Sequence, residues 1–593
     1  MNLIRLLLAG LMLLLAGAEP PASQPSNPTL HALFAREWDY SMQRNPTWAS
    51  SLGDRRWNDK WPDMSPEQFE ARFAHDQQVL AELTGIDRAA LSALDQLNHD
   101  LFKLRYERAV AEHRFHAYLL ALNQRGGIQT ESELADRLRF ETAQDYKDYI
   151  TRLRGFPEYT DQTIALMRQG ISARIVHPRV IMQRVPGQID SQIVDDPTAS
   201  PFYKPFKSMP AAMPPDQQNA LAEAARGAIS QRVVPSFRKF KDFFVSEYLP
   251  ACTEQVGVWQ LPNGDEWYAF EVMRHTTTDM TPAQIHELGL AEVERIGREM
   301  QKVMDQVGFK GSKEEFFAFL RTDKQFYFAT GDELLAATRA LSKRIDPKLV
   351  KLFKTIPRMP YGVEPIPDNI APDTTTAYYE EPAADGSRAG TYFVNLYKPE
   401  TRPKWEMVAL SLHEAVPGHH FQIARAMELG QLPQFRRHGE YTAFIEGWGL
   451  YSESLGTEMG MYDDPYSRFG QLTYEMWRAV RLVVDTGIHY KHWTRQQAID
   501  YFKANAPKSE LDITNEIDRY IAWPGQALAY KIGELKIKGL RARATKELGD
   551  QFDVKEFHDI VLGSGAVPLD VLERNVNDWI EHQVPAERPS PGR

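Results

Sequence analysis

Residues 404–428 read KWEMVALSLHEAVPGHHFQIARAME, and Trp405, Val408, Leu412, Val416, Phe421, Ala424 and Met427 recur there at helical spacing. Within this stretch lie His413, Glu414, Pro417, Gly418, His419 and His420. Two histidines at i and i+4 on one helical face, with a glutamate beside the first, suit a metal hydrolase: both rings reach one ion and the carboxylate activates water. Here position i+4 is Pro417, and the next histidines stand at i+6 and i+7. On a straight helix a residue at i+7 lies about 10.5 Å along the axis, whereas zinc-bound nitrogens each sit about 2.0–2.1 Å from the ion. Pro417 relieves this conflict, because it lacks an amide hydrogen and its ring clashes with the carbonyl four residues back, that of His413; Gly418 permits a bulge. Looping out the two extra residues returns His419 to the i+4 place, with His420 as the alternative. The bland reading is a kinked helix with three solvated histidines.

A third ligand is expected from another helix. Residues 440–459 read EYTAFIEGWGLYSESLGTEM, where Glu446 sits among Phe444, Ile445, Trp448 and Leu450, poor surroundings for a surface charge and good ones for a buried ligand. Glu453, at i+7 from Glu446, shares its face and is placed to orient a liganding histidine; a solvated acidic stripe is the alternative for both. An ion held by two histidines and one glutamate keeps a position open for water, which distinguishes a catalytic from a structural site.

Two later helical stretches and one strand complete the candidate site. In residues 471–490 (QLTYEMWRAVRLVVDTGIHY), Arg481, Asp485 and His489 follow at i, i+4 and i+8, which predicts an Arg481–Asp485 ion pair beside a histidine. His489 is expected to donate to a developing oxyanion, and Arg478 or Arg481 to hold a substrate carboxylate, unless the arginines form only a structural network. Gln526 and Tyr530 share a face in WPGQALAY (523–530); Tyr530 is a candidate oxyanion donor or a core residue, and Gln526 a candidate substrate contact. The run TYFVNLY (391–397) predicts a strand just upstream of the motif helix, whose exposed edge would align a peptide, with Asn395 and Tyr397 bordering it.

Over the whole chain of 593 residues, 43% hydrophobic and 25% charged residues describe an ordinary globular protein. The net charge of −11, with no Lys/Arg block, argues against a nucleic-acid partner. Cys252 is the only cysteine, so an internal disulfide and cysteine-rich metal sites are excluded. The opening MNLIRLLLAGLMLLLAGAEPPASQ, with Arg5, an apolar run from Leu6 to Leu15 and an A-G-A site, predicts a signal peptide over residues 1–18 and a periplasmic or secreted protein. An uncleaved anchor is the alternative. No cysteine follows the run, which argues against lipid attachment there, and no later stretch is apolar and long enough to cross a bilayer. A Pro/Ser-rich leader over 19–29 is expected to precede one large helical catalytic domain, 30–593, with two lobes around a central channel and a boundary near 357–390. Helix starts are marked at Ser65-Pro66-Glu67-Gln68 and Thr281-Pro282-Ala283-Gln284, the second followed by the stripe Ile285, Leu288, Val293, Ile296, Met300 and Val303. Residues 185–215 and 357–390 are rich in proline and polar residues and predict long loops or boundaries. The fold class is therefore mainly α, with a small sheet next to the metal-binding helix.

The segments HEAVPGHHFQ (413–422), EGWGLYSE (446–453), RLVVDTGIHYKHW (481–493) and WPGQALAYKIG (523–533) together resemble the bacterial family of domain of unknown function 885. EWYAFEVMRHTTTDMTPAQIHELGL (266–290) fits the same family, so the resemblance extends over most of the chain. It implies a helix-rich zinc peptidase of the gluzincin kind, akin to oligopeptidases with a deep channel. It also implies His413, His419 and Glu446 as ligands of Zn2+ and Glu414 as base. The expected function is an exported zinc metallopeptidase acting on oligopeptides, with peptide as its partner. The alternatives are a metal-dependent hydrolase of non-peptide amides and a non-catalytic exported metal-binding helical protein; Glu414 speaks against the latter, because a structural site needs no base.

Overall fold

The computed structural model describes residues 27–368 and 370–583. The expected signal peptide, 1–18, and leader residues 19–26 lie outside the described residues. The remaining leader residues belong to the fold. Asn27 caps α1 (Pro28–Arg44) by accepting from the Leu30 amide at 3.0 Å, and Pro28 takes the first helical position, where its missing amide hydrogen costs nothing.

The chain is mainly helical. The two helix starts marked in the sequence open α2 (Pro66–Thr84), which follows Ser65, and α4 (Pro282–Gln306), with α3 (Gly264–Thr276) before the second. Thr281 and Gln284 form a reciprocal capping box, and α4 buries Ile285, Val293, Ile296, Met300 and Val303 while Leu288 is half-buried. The proline-rich stretch 185–215 is a series of short helical turns, among them Val185–Asp190 and Pro201–Lys207.

The stretch 357–390 is not simply a loop, since it carries two strands of the sheet, β1 (Tyr361–Pro365) and β2 (Ala377–Glu380). β3 (Gly390–Val394) lies between them, parallel to β1 with Tyr361 opposite Gly390 and antiparallel to β2 with Ala377 opposite Val394. The expected strand 391–397 is thus shorter than read. Its edges are both paired, so it offers nothing to a peptide; β2 has the free edge nearest the site.

Six helices build the site: α5 (Met407–Glu414), α6 (His419–Met427), α7 (Thr442–Leu455), α8 (Pro465–His489), α9 (Glu510–Ala522) and α10 (Ala529–Leu548). α4 packs along α8 and α7 along α10. Glycine makes both approaches possible: a Cβ on Gly289 would lie 2.7 Å from Leu482 Cβ, and one on Gly533 would run into the Ala443 carbonyl. The buried apolar residues form two large clusters, and α5 serves both, with Ala409 and Leu410 in one and Val408 and Leu412 in the other. His413 and Glu414, at its C-terminal end, therefore emerge at the seam. Among the described residues no helix is long and apolar enough to cross a membrane.

Candidate metal centre and active site

The interruption expected at Pro417-Gly418 is present. α5 stops at Glu414, residues 415–418 form a loop, and α6 begins at His419. The Trp448 indole on α7 donates to the Pro417 carbonyl at 2.7 Å and pins the loop. No side chain fits at Gly418, where a Cβ would collide with the His413 carbonyl. The segment EGWG on α7 then divides its labour: Glu446 faces the histidines, Gly447 lets α10 approach, Trp448 holds the loop, and Gly449 leaves room for the His413 ring, which a Cβ would meet at 2.8 Å.

The result is a convergent trio. One ligand atom from each of His413, His419 and Glu446 lies within 4.8 Å of the others. Glu446 Oε2 is 3.6 Å from His413 Nε2 and 3.3 Å from His419 Nε2, and the two imidazoles stand nearly perpendicular at 86°. Glu453, fully buried, accepts from His413 Nδ1 at 2.9 Å, which fixes the tautomer and leaves Nε2 facing Glu446. His420 is turned the other way. Its Nε2 donates to the Met359 carbonyl at 2.9 Å and its Nδ1 accepts from the Tyr379 hydroxyl at 3.0 Å, so neither nitrogen is left for an ion.

Electrostatics agree with a cation at the centre of the trio. Burial opposes charge on Glu446, yet the facing His419 and His413 hold its carboxyl well below the usual range. Burial likewise works against a charged His413, but the Glu446 and Glu453 carboxylates outweigh it and push the imidazole up to about 9. Glu446 Oε2, the oxygen facing both rings, is buried with no hydrogen-bond partner among the described residues. A buried carboxylate oxygen left unsatisfied is costly, and two imidazole nitrogens with one carboxylate are the donor set of a catalytic zinc site, so these residues fit the metal.

A cavity of about 220 Å³ opens on the trio, lined also by Glu414, by Tyr530, and by Ala377, Tyr378 and Tyr379 of β2. Tyr530 stacks toward His413, with ring centroids 6.2 Å apart, and its hydroxyl accepts from Arg519 at 3.0 Å. Arg478 and Arg481 line the same cavity, but both are engaged. Arg478 lies 3.5 Å from Glu453, and Arg481 donates to Glu516 and to the Tyr520 hydroxyl, each at 2.9 Å.

Four sequence expectations are corrected here. His489 is in the core, where its Nδ1 accepts from the Val258 amide at 3.0 Å and its Nε2 donates to the Tyr520 carbonyl at 2.9 Å; it does not line the cavity. The Arg481–Asp485 pair does not form, because Asp485 accepts instead from the Tyr268 hydroxyl at 2.6 Å and the Gly525 amide at 3.1 Å. Asn395 is fully buried and ties residues 371–376 together, donating to the Ala371 carbonyl at 2.8 Å and the Thr375 carbonyl at 3.0 Å, while Tyr397 is exposed and outside the cavity. Gln526 lines a neighbouring cavity and reaches the site only through Arg519, whose guanidinium donates to it at 2.9 Å. Sequence reasoning missed Arg125, Glu516 and Arg519, which also line the cavity, and it missed β2. The β-branched and aromatic run TTTAYY (374–379) was the available signal for the strand.

Residues 46–576 match the family described as bacterial protein of unknown function (DUF885), and the chain belongs to that family. Among solved structures it is similar to a crystal structure described as a putative lipoprotein from Colwellia psychrerythraea. That match has 30% identity and a TM-score of 0.87, and covers 94% of this chain and 100% of the other. A protein of Shewanella oneidensis, described as a putative lipoprotein of unknown function, shares the fold at 17% identity and a TM-score of 0.66, covering 92% of this chain and 99% of the other. No curated protein matches the chain.

Proposed function

We propose that this member of the DUF885 family is an exported zinc-dependent peptidase, with His413, His419 and Glu446 as ligands and Glu414 as general base. One observation carries the reading: three unspent ligand atoms converge on a cavity that Glu414, Tyr530 and the edge of a β-strand share. On this reading α5, α6 and α7 play the part of the ligand-bearing helices of gluzincin peptidases. A zinc ion held there supplies Lewis acidity toward a carbonyl oxygen and toward water.

The chain's own groups do the rest. Glu414, next to the ligand His413 and open to the cavity, takes a proton from the attacking water and delivers it to the leaving amine. Arg519 already donates to the Tyr530 oxygen, so the Tyr530 proton is the one left to stabilise the oxyanion as the carbonyl becomes tetrahedral. The edge of β2 that faces away from β3 offers backbone donors and acceptors to an extended peptide beside Glu414. Export rests on the apolar leader; two solved relatives carry lipoprotein descriptions, while the one cysteine of this chain, Cys252, is buried.

The test is elemental analysis of the purified protein beside digestion of a defined peptide library read by mass spectrometry. About one zinc per chain and new peptide termini that disappear on chelation and return with zinc are expected. A protein that cleaves amides but no peptide, or cleaves peptides unaffected by chelation, overturns the proposal.

A further inference from the structure

Four guanidinium groups line the cavity of the trio, those of Arg125, Arg478, Arg481 and Arg519. Arg478 faces Glu453, Arg481 donates to Glu516, and Arg519 lies 3.7 Å from Glu516 while donating to Gln526 and Tyr530. Arg125 differs from the other three. Among the described residues its guanidinium has neither a hydrogen-bond nor an ion-pair partner, and it packs over the Trp523 ring at 5.5 Å.

The residue is nevertheless held in place. Asn123 and Gly126 exchange backbone hydrogen bonds at 2.9 and 3.3 Å, and the Arg125 amide donates to Asn123 Oδ1 at 2.8 Å. Gly127 closes the turn at φ 135, where a Cβ would overlap Leu122. A half-buried cation fixed in a wall without an anion is costly unless a ligand supplies one. Burial and the charge of Arg519 push Arg125 down to about 10. On the same wall Arg481 Nη1 is buried with no partner, and Glu516 is the one carboxylate that Arg481 and Arg519 share. On this wall three guanidinium groups, those of Arg125, Arg481 and Arg519, thus share the single carboxylate of Glu516 and keep spare planar N–H donors, the complement of a second carboxylate.

We infer that Arg125 binds the carboxylate at the C-terminal end of a peptide substrate, so that the protein is an exopeptidase working from the C-terminus; this rests on the peptidase reading. An acidic side chain offers the same chemistry. The volume favours a chain end: about 220 Å³ is below the roughly 300–1,000 Å³ of sites that enclose larger ligands, and Arg125 lies at its margin, where it also lines the next cavity.

Calorimetry on the metal-free protein tests the anion site without turnover, using acetyl-trialanine, its C-terminal amide, and an amide of the same length ending in glutamate. The free acid is expected to bind about 10- to 100-fold more tightly than either amide. Arg125→Gln should erase that preference and Arg125→Lys should keep part of it. Equal binding of acid and amide, or a preference that survives Arg125→Gln, overturns the inference; tight binding of the glutamate amide moves the site to acidic side chains and overturns the C-terminal assignment. In a digest of longer peptides by the zinc-loaded protein, products shortened from the C-terminus are expected, and internal cuts count against it. Arg125-dependent binding of the acid with no cleavage of any peptide would sink the peptidase reading while leaving the carboxylate site standing.

Discussion

His413 and His489 are both almost wholly buried, at 2% and 1% exposure, each on a helix of the same core, yet they spend their nitrogens differently. His489 at the end of α8 commits one ring nitrogen to an amide and the other to a carbonyl. His558 does the same with the Tyr451 hydroxyl and the Leu352 carbonyl, each at 2.8 Å, as does His420 with Tyr379 and Met359. Such a ring is a crosslink, neutral and satisfied. His413 spends Nδ1 on Glu453 and leaves Nε2 pointing at an equally unspent oxygen of Glu446. What separates a candidate ligand from a core histidine here is leftover hydrogen-bonding capacity, not burial or helical position.

The comparison breaks most visibly if the wrong histidine turns out to hold the metal. His413→Ala or His419→Ala should each lose zinc and peptidase activity together, with metal affinity falling by more than the roughly 100-fold that a supporting residue costs. His420→Ala should keep its zinc, because its ring is spent elsewhere; zinc-free His420→Ala beside zinc-replete His419→Ala would reverse the assignment. Next in size is Glu414→Gln, expected to retain zinc while turnover drops about 10²- to 10⁴-fold, the usual worth of a positioned base. Parallel metal analysis and kinetics decide it, and a fully active variant would end the mechanism. Smaller still, Glu453→Gln should weaken zinc binding about 10- to 100-fold, since the amide no longer polarises His413, with chelator competition as the measurement.

The sequence was most legible where chemistry is local. The helix break follows from Pro417-Gly418 and the support of Glu453 from its i+7 spacing to Glu446, because helical geometry fixes which side chains share a face, while Glu446 was marked by its apolar neighbours and the full ligand set by the family resemblance. It was least legible along α8. The period of that helix correctly groups Arg481, Asp485 and His489, but their partners come from Glu516 on α9, Tyr268 on α3 and Val258, which no spacing within α8 encodes. A helix buried along its whole length turns each polar side chain toward a different neighbour, so identity and register leave the partner open. Asn395 failed similarly: read as a substrate contact beside a strand, it ties a loop by hydrogen bonds to the carbonyls of residues 371, 374 and 375. Arg125 was invisible for the converse reason, since a lone arginine in a glycine turn has no sequence signature until the wall it joins is assembled.

The remaining prediction sharpens the other side of the comparison. His489→Ala leaves the Val258 amide and the Tyr520 carbonyl without their partner in the core, which should cost about 2–4 kcal/mol of stability with zinc content unchanged. Its pH dependence has a definite sign. Burial pushes His177, His489 and His558 from the ordinary 6.5 down to about 4, so between these values the unfolded chain binds protons that the folded chain refuses. This contribution is complete above pH 6.5 and is lost as the pH falls toward 4. In urea denaturation, the stability lost in His489→Ala relative to the parent protein should therefore shrink between about pH 7 and about pH 5, because the variant lacks this titration. If His489→Ala instead keeps its stability and loses zinc, His489 belongs with His413 after all, and unspent nitrogens are the wrong criterion for telling the two histidines apart.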